Sequence, residues 1–435
     1  MHAGKIFSAD TWTLDAQIWT LIVATIAAIM VFETTPWLAL LSFSVLAGTL
    51  GYLVRRRGLA APMQVTPVTI AGAAGVIYIV ISLLWTGDLR ATSMSAVVLA
   101  GLLLSVGYIA AILRVCPRPW IEHMARALLV AWMVALGFLL FELLTNDVVK
   151  KWLFWPFHAA RWPPGAMPFL DWTEGPVRIK PQAIKWNMAP LNYLLWPSLL
   201  ILSVQPIPAA VRATVGIALV GAIGLTIHLS DHKTSFVALC FAVGAFLVAQ
   251  RFPNAVSRIL QAFWITGFVV IIPLAVWAYD HQLHLENRTS PTLAARIILW
   301  NFTAQRVGER PILGVGAAAS KRIDNLRVEV SPAVQPPGFH YALRTGPHAH
   351  NVFLQSWYEL GLIGTAIYLT AGLLLLEYLR RLPSGPQPFV LATATTIYVT
   401  CTASFGLFEV WFMATFAICC LCLLLAVNEH QRVRG

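Results

Sequence analysis

The sequence predicts an all-α integral membrane protein of about twelve transmembrane helices, with a large, partly helical loop on the outer side between spans nine and ten. Three observations carry that prediction. Of 435 residues, 58% are hydrophobic and only 11% are charged, more apolar surface than a water-soluble domain can hide. Apolar runs long enough to cross a bilayer as helix recur along the whole chain. The alternating ten-residue pattern of a membrane barrel does not occur.

In order, the apolar spans fall near residues 16–33, 37–54, 68–85, 93–113, 127–145 and 190–205, then 211–228, 235–250, 259–278, 351–379, 388–405 and 407–427. The first follows Asp10 and Asp15 with no small-residue cleavage site, so that helix is expected to stay. Short loops keep their basic residues on the cytoplasmic side. Arg55, Arg56 and Arg57 follow span two, Arg114 and Arg118 span four, Arg212 span six, Arg251 and Arg258 span eight, and Arg380 and Arg381 span ten. Every even-numbered exit is therefore basic, which puts both termini in the cytoplasm. The chain divides into five N-terminal helices (1–145), an outer loop rich in Trp and Lys (146–189), four helices (190–278), a large outer loop (279–350), and three helices with a cytoplasmic tail (351–435).

Six cysteines, at Cys116, Cys240, Cys401, Cys419, Cys420 and Cys422, make neither a metal spacing nor a disulfide framework. The last three read as small apolar residues of a packed helix rather than as a metal cluster.

The first outer loop carries Trp152, Trp155, Trp162, Trp172 and Trp186 among Lys150, Lys151, Arg161, Arg178, Lys180 and Lys185. Such a loop can lie at headgroup depth, its indoles in the interface and its lysines on lipid phosphates. The same residues can stack on sugar rings while Arg161 meets a phosphate, and the sequence leaves both readings open.

The second outer loop sets Arg288, Arg296, Arg306, Arg310, Lys321, Arg322, Arg327 and Arg344 against Asp280, Glu286, Glu309, Asp324 and Glu329. A loop of this length escapes the positive-inside bias, and its basic excess implies an acidic partner; nothing in it calls for nucleic acid. Within it, S-P-T-L-A-A-R-I-I-L-W-N-F-T-A-Q-R-V begins with a Ser-Pro helix start and predicts an amphipathic helix with Leu293, Ile297, Trp300 and Ala304 on one face. R-P-I-L-G-V-G then ends it in a glycine-rich turn. Arg306, Arg310 and Arg322 read as solvated or lipid-phosphate contacts, whereas Arg288 and Arg296 flank the helix start and are the stronger candidates for a bound anion.

The loop closes on P-H-A-H-N-V-F-L-Q-S-W-Y-E-L-G-L-I-G, residues 347–364, which places His348, His350 and Asn351 just ahead of a membrane helix. The positive end of the helix dipole and the nearby arginines disfavour imidazolium, so His350 should be neutral and ready to accept a proton. A helix start is also an anion site. Asn351 would cap or orient, and His348 has no role fixed by the sequence. Two rival readings remain, His350 as a cap alone and H-A-H as a metal pair. The absence of a D-x-D motif and the scatter of the aspartates weigh against metal, and no cofactor is implied. Glu142, Glu359 and Glu409 lie in or near apolar spans, where a carboxylate is expected to be paired. Asp231 and His232, beside Lys233 on the short outer turn after span seven, could line a site.

The order R-I-I-L-W, R-P-I-L-G-V-G and A-H-N-V-F-L-Q-S-W-Y-E-L-G-L-I-G resembles the bacterial O-antigen ligase and polymerase superfamily. Upstream, K-W-N-M-A-P-L-N-Y-L-L-W-P and H-L-S-D-H-K-T-S-F are similar to that superfamily's asparagine-containing helix start and short basic turn. The likeness covers roughly residues 185–379. Where the superfamily often has arginine in the short turn, this chain has Lys233, which keeps the charge and loses the bidentate fork.

The resemblance implies a glycosyltransferase on the periplasmic side of the bacterial inner membrane, moving a glycan from undecaprenyl diphosphate to an acceptor among the membrane lipids. In the ligase branch the acceptor is the lipid A core oligosaccharide; in the polymerase branch it is another lipid-linked glycan. A sugar hydroxyl needs a base, and a departing diphosphate needs its charge held. The expected base is His350. Arg288, Arg296, Arg161 and Lys233 are the expected diphosphate contacts, and His348, Asn351, Asp231 and His232 would line or orient the site. A single displacement without a metal would invert the anomeric carbon.

Loop anatomy favours the ligase. The polymerase branch is expected to carry in each of two loops an arginine followed eleven positions later by glycine. Only Arg327 and Gly338 fit here, whereas Arg161 leads to Trp172 and Arg178 to Ala189. A transporter or flippase for lipid-linked sugars would suit twelve spans, but its halves should repeat and its polar groups should sit at mid-membrane. A scaffold would need no concentration of histidine and arginine on one side.

Overall fold

The computed structural model describes residues 63–146, 148–149, 170–171, 178–179, 182–286, 289, 291–320, 348–404 and 406–434. The first two expected spans, most of the tryptophan-rich loop with Arg161, and Arg288, Arg327 and Gly338 lie outside the described residues. Eleven helices are described: α1 Pro67–Ser82, α2 Leu89–Val115, α3 Arg118–Leu144, α4 Gln182–Ser203, α5 Ala209–Leu229, α6 Lys233–Ala249, α7 Pro253–Asp280, α8 Pro291–Val307, α9 Val352–Arg380, α10 Gln387–Ala403 and α11 Val410–Arg434. A two-residue antiparallel pair, Leu170–Asp171 with Arg178–Ile179, is the β-structure among the described residues.

Every apolar span expected from 68–85 onward falls on a helix. Among the described residues six helices are long and apolar enough to cross a membrane: α2, α3, α5, α7, α9 and residues 412–431 of α11. The expected twelve are thus not reached among the described residues. α1 and α6 are apolar but short. The 16 residues of α1 reach about 24 Å at 1.5 Å each, against a hydrocarbon core of about 30 Å.

The described chain falls into two compact units, one of residues 109–244 and 418–434 and one of residues 63–108 and 245–417. In the first, α3, α4 and α5 pack on one another. α4 carries Pro190 and Pro197 inside the helix. Proline has no N–H to give the carbonyl four residues before it, so Pro197 frees that of Tyr193. The Cys419 thiol donates to this oxygen at 3.6 Å. Cys419 and Cys422 are buried and Cys420 is half-buried, in keeping with small packing residues. The Glu142 carboxylate, buried near the end of α3, accepts the Val149 N–H at 2.9 Å.

In the second unit α9 is the common partner, touching α1, α7, α8 and α10. Its core joins Phe268 and Ile271 of α7, Ala304 and Val307 of α8, and Phe353, Leu354 and Tyr358 of α9. Trp264 is wedged between helices, its Nε1 donating to Leu369 O at 3.0 Å, and a Cβ on Gly372 would fall 2.2 Å from its ring. α8 begins at Pro291, as its Ser-Pro start predicts. Its buried stripe runs through Ala294, Ile297, Ile298, Asn301 and Ala304, while Leu293 is 42% exposed. The expected face therefore holds at Ile297, Trp300 and Ala304 and departs at its first position, where Ala294 is buried in place of Leu293.

The sequence reads 351–379 as one uninterrupted span, but α9 is broken at Gly361, whose φ of 62° and ψ of −166° lie outside the helix. Four backbone groups exposed by the break are served by the glycine-rich turn after α8. Val315 N donates to Tyr358 O (3.1 Å) and Gly316 N to Glu359 O (2.9 Å), while Leu362 N donates to Pro311 O (2.8 Å) and Ile363 N to Ile312 O (3.3 Å). The two glycines leave no room for side chains. A Cβ on Gly314 would lie 2.4 Å from Glu359 O, and one on Gly361 2.5 Å from Gly314 N. Both have positive φ, which glycine adopts without cost. The two motifs R-P-I-L-G-V-G and E-L-G-L-I-G thus form one joint, which Tyr78 of α1 tightens by donating its hydroxyl to Leu360 O at 2.7 Å.

Candidate active site

Asn351 is the N-cap of α9: its Oδ1 accepts the N–H of Leu354 at 3.0 Å, and its Nδ2 donates to Thr402 O at 2.9 Å. The cap therefore ties the helix start to the end of α10. Trp300 of α8 donates its indole N–H to Ala349 O at 3.0 Å, which fixes the chain just before the cap. The amphipathic helix is thus a support for the histidine segment.

His350 stands between these two anchors with φ 52°. A left-handed conformation at a non-glycine residue costs about 1–3 kcal/mol, so its neighbours must hold it. Two of its bonds do so. Its backbone N–H donates to His348 Nδ1 at 3.1 Å, and its own Nδ1 lies 2.9 Å from Ser404 O. A carbonyl only accepts, so Nδ1 carries the proton and Nε2 keeps its lone pair. Burial above all, then the proximity of His348 and, less, of Arg296, holds the imidazole well below its ordinary range, at about 4, although the bond to Ser404 and the charge of Glu409 pull the other way. The ring is neutral at neutral pH, as the sequence suggests. The main cause is burial, which the sequence does not reveal, rather than the helix dipole.

His348 is buried and has both ring nitrogens engaged. Nδ1 accepts from His350, and Nε2 lies 2.7 Å from Glu409 Oε1. With Nδ1 accepting, Nε2 is the protonated nitrogen and donates to the carboxylate. The two imidazoles sit with ring centres 4.1 Å apart. A metal would have to displace the protein bonds of His348, so this geometry speaks against H-A-H as a metal pair. Among the described residues no three His, Cys, Asp or Glu side chains are grouped to hold an ion.

Arg296 projects from the second turn of α8, half-buried, near enough for its charge to act on His350. Burial lowers its pKa, yet a guanidinium stays charged. Among the described residues it has no carboxylate partner. Glu359 is paired, as expected of a carboxylate in an apolar span: it accepts from Ala318 N at 2.9 Å and from the Ser320 hydroxyl.

The structure thus brings together His348, His350, Asn351 and Arg296, all in the second unit. Asp231, His232 and Lys233 belong to the first. There Asp231 pairs with Lys185 at 3.2 Å, His232 Nδ1 accepts the N–H of Ser235 at 3.3 Å, and Lys233 is exposed. Arg161 and Arg288 are outside the described residues. The turn between α10 and α11 is the element sequence reasoning missed. It supplies Ser404 O and Glu409, and its Leu407 N–H is held by Gln355 Oε1 at 2.9 Å. One signal for it was available, a lone carboxylate directly ahead of an apolar span.

Residues 217–369 match the family described as O-antigen ligase. Curated proteins of Rickettsia typhi and Rickettsia prowazekii, each provisionally named a polysaccharide ligase, are both 26% identical to this chain, over 195 and 196 residues respectively. A like-named protein of Rickettsia felis is 25% identical over 194 residues. Each match covers 43% of this chain and 46% of the relative, so the chain spans less than half the length of the curated relatives it matches. The matched segment holds Arg296, His348, His350 and Asn351, and the match supports the resemblance to the O-antigen ligase superfamily that the motifs carry.

Proposed function

We propose that this protein is an O-antigen ligase of the bacterial inner membrane, which moves O-antigen polysaccharide from undecaprenyl diphosphate to the lipid A core oligosaccharide on the periplasmic side. The observation that carries this reading is a neutral imidazole of fixed tautomer set beside a half-buried guanidinium that has no carboxylate partner among the described residues. His350 Nε2 takes the proton of the acceptor hydroxyl as that oxygen attacks the anomeric carbon. The bond from that carbon to the diphosphate breaks, and Arg296 holds the charge that gathers on the departing phosphate, with Arg288 in the same role. One displacement inverts the anomeric carbon, and no metal takes part.

An imidazole at about 4 has its lone pair available but is a weak base. A bound diphosphate adds negative charge beside Arg296, and so strengthens the base when the donor is in place. The acid limb of kcat should therefore lie at higher pH than the acid limb of kcat/KM, since the first reports the enzyme with donor bound and the second the free enzyme.

The test is to incubate the purified full-length chain with undecaprenyl-diphosphate O-antigen and lipid A core, with and without EDTA. Core capped with polymer, formed equally under chelation, is the expected product. No transfer would remove the enzyme reading. Growth of the lipid-linked glycan in place of core capping would move the chain to the polymerase branch.

A further inference from the structure

The α10–α11 turn is drawn tightly against His348. A Cβ on Gly406 would lie 2.6 Å from His348 Cβ, and the Leu407 N–H is fixed by Gln355. That closeness seats Glu409 on His348 Nε2, just ahead of α11, where the helix start favours a negative charge. His348 can accept from the His350 backbone only while its Nδ1 is unprotonated, and it is the carboxylate on the opposite nitrogen that keeps the proton there. Without that acceptor the ring could hold its proton on either nitrogen, and the buried His350 N–H could lose its partner.

We propose that Glu409 is a positioning residue: by accepting the Nε2–H of His348 it fixes that ring's tautomer, and His348 in turn holds His350 in the left-handed conformation that places its ring on Ser404. The inference rests on His350 being the base. The groups facing His350 are His348 beside it, Arg296 from α8, and Ser404 O and Glu409 from the α10–α11 turn. His348 and Arg296 oppose a proton on His350, whereas Ser404 and Glu409 favour one. Glu409 is the acidic group among them, so it also offsets the charge that His350 acquires as it takes the acceptor's proton.

Two variants of the full chain separate these contributions. Glu409→Gln keeps an oxygen that can accept from His348 and removes the charge; Glu409→Ala removes both. Glu409→Gln should shift the acid limb of kcat/KM to lower pH, because one group that favours a proton on His350 has lost its charge. Glu409→Ala should lower kcat about 10–100-fold with the donor KM unchanged, the scale seen when a partner that orients a metal-bound histidine is removed. Nitrogen NMR of histidine-labelled protein should then show His348 leaving its single Nε2–H form in the Ala variant. Parent-like kcat in Glu409→Ala would overturn the proposal, as would a fall in kcat with both the tautomer and the acid limb unchanged. Full turnover in His350→Ala would instead remove the base itself, an outcome the NMR arm keeps distinct from failure of the Glu409–His348 link.

Discussion

At the start of α6 a histidine serves the third backbone N–H of the helix; at the start of α9 an asparagine does. His232 Nδ1 accepts from Ser235 N at 3.3 Å, and Asn351 Oδ1 from Leu354 N at 3.0 Å. Both segments place histidine next to the first helical residue or close to it, and both look alike as polar clusters ahead of apolar runs. A helix start needs an acceptor for its open N–H groups. Where histidine is that acceptor, its lone pair is spent on the fold. Where asparagine is, a neighbouring histidine can turn its ring elsewhere, as His350 does toward Ser404.

The comparison breaks most sharply at the two histidines. His350→Ala should cut transfer by about 10²–10⁴-fold, the usual contribution of a general base, while the protein stays folded and inserted. Near-parent turnover in the purified variant would make His350 a structural residue. Next in size, Arg296→Ala should lower kcat/KM for the donor by about 10–100-fold, as expected for loss of a charged hydrogen bond worth about 1.5–3 kcal/mol. Arg296→Lys should recover only part, since an ammonium lacks the guanidinium fork. A change confined to the acceptor's KM would defeat the phosphate role.

Asn351→Ala should cost about 1–2 kcal/mol, combining loss of the cap with loss of the bond to Thr402, and should lower kcat because His350 is its neighbour. Asn351→Asp should restore the cap to Leu354 without the donor to Thr402, and thermal unfolding in detergent reads the difference. The smallest effect is expected at α6. His232→Ala should cost about 1 kcal/mol or less and His232→Asn should recover it, both with kcat unchanged. A large loss of kcat in a folded His232→Asn would show that this histidine does more than cap.

Much of this was legible in the sequence because it is local. Apolar length marks the helices, Ser290-Pro291 marks the start of α8, and the asparagine before V-F-L marks a cap. The break at Gly361 was not legible, since a lone glycine in an apolar run is compatible with an unbroken helix and what opens it is the turn at 311–316. Glu409 was visible as a carboxylate that needed a partner, but which partner depends on how the α10–α11 turn folds back on His348. Burial of His350 likewise comes from elements distant in sequence, so its neutrality could be expected and its cause could not.

The break in α9 also decides which part of that helix answers to the lipid. Residues 362–380 alone rise about 28 Å, close to the hydrocarbon thickness of a bilayer. The part from Val352 to Leu360 is then additional to the span, buried in protein and bound at its end to the turn at 311–316. A span longer or shorter than its bilayer adjusts by tilting. In α9 the turn at 311–316 bonds to both sides of Gly361, to Tyr358 and Glu359 before it and to Leu362 and Ile363 after it, so a tilt of the span pulls on that turn as well as on the helix.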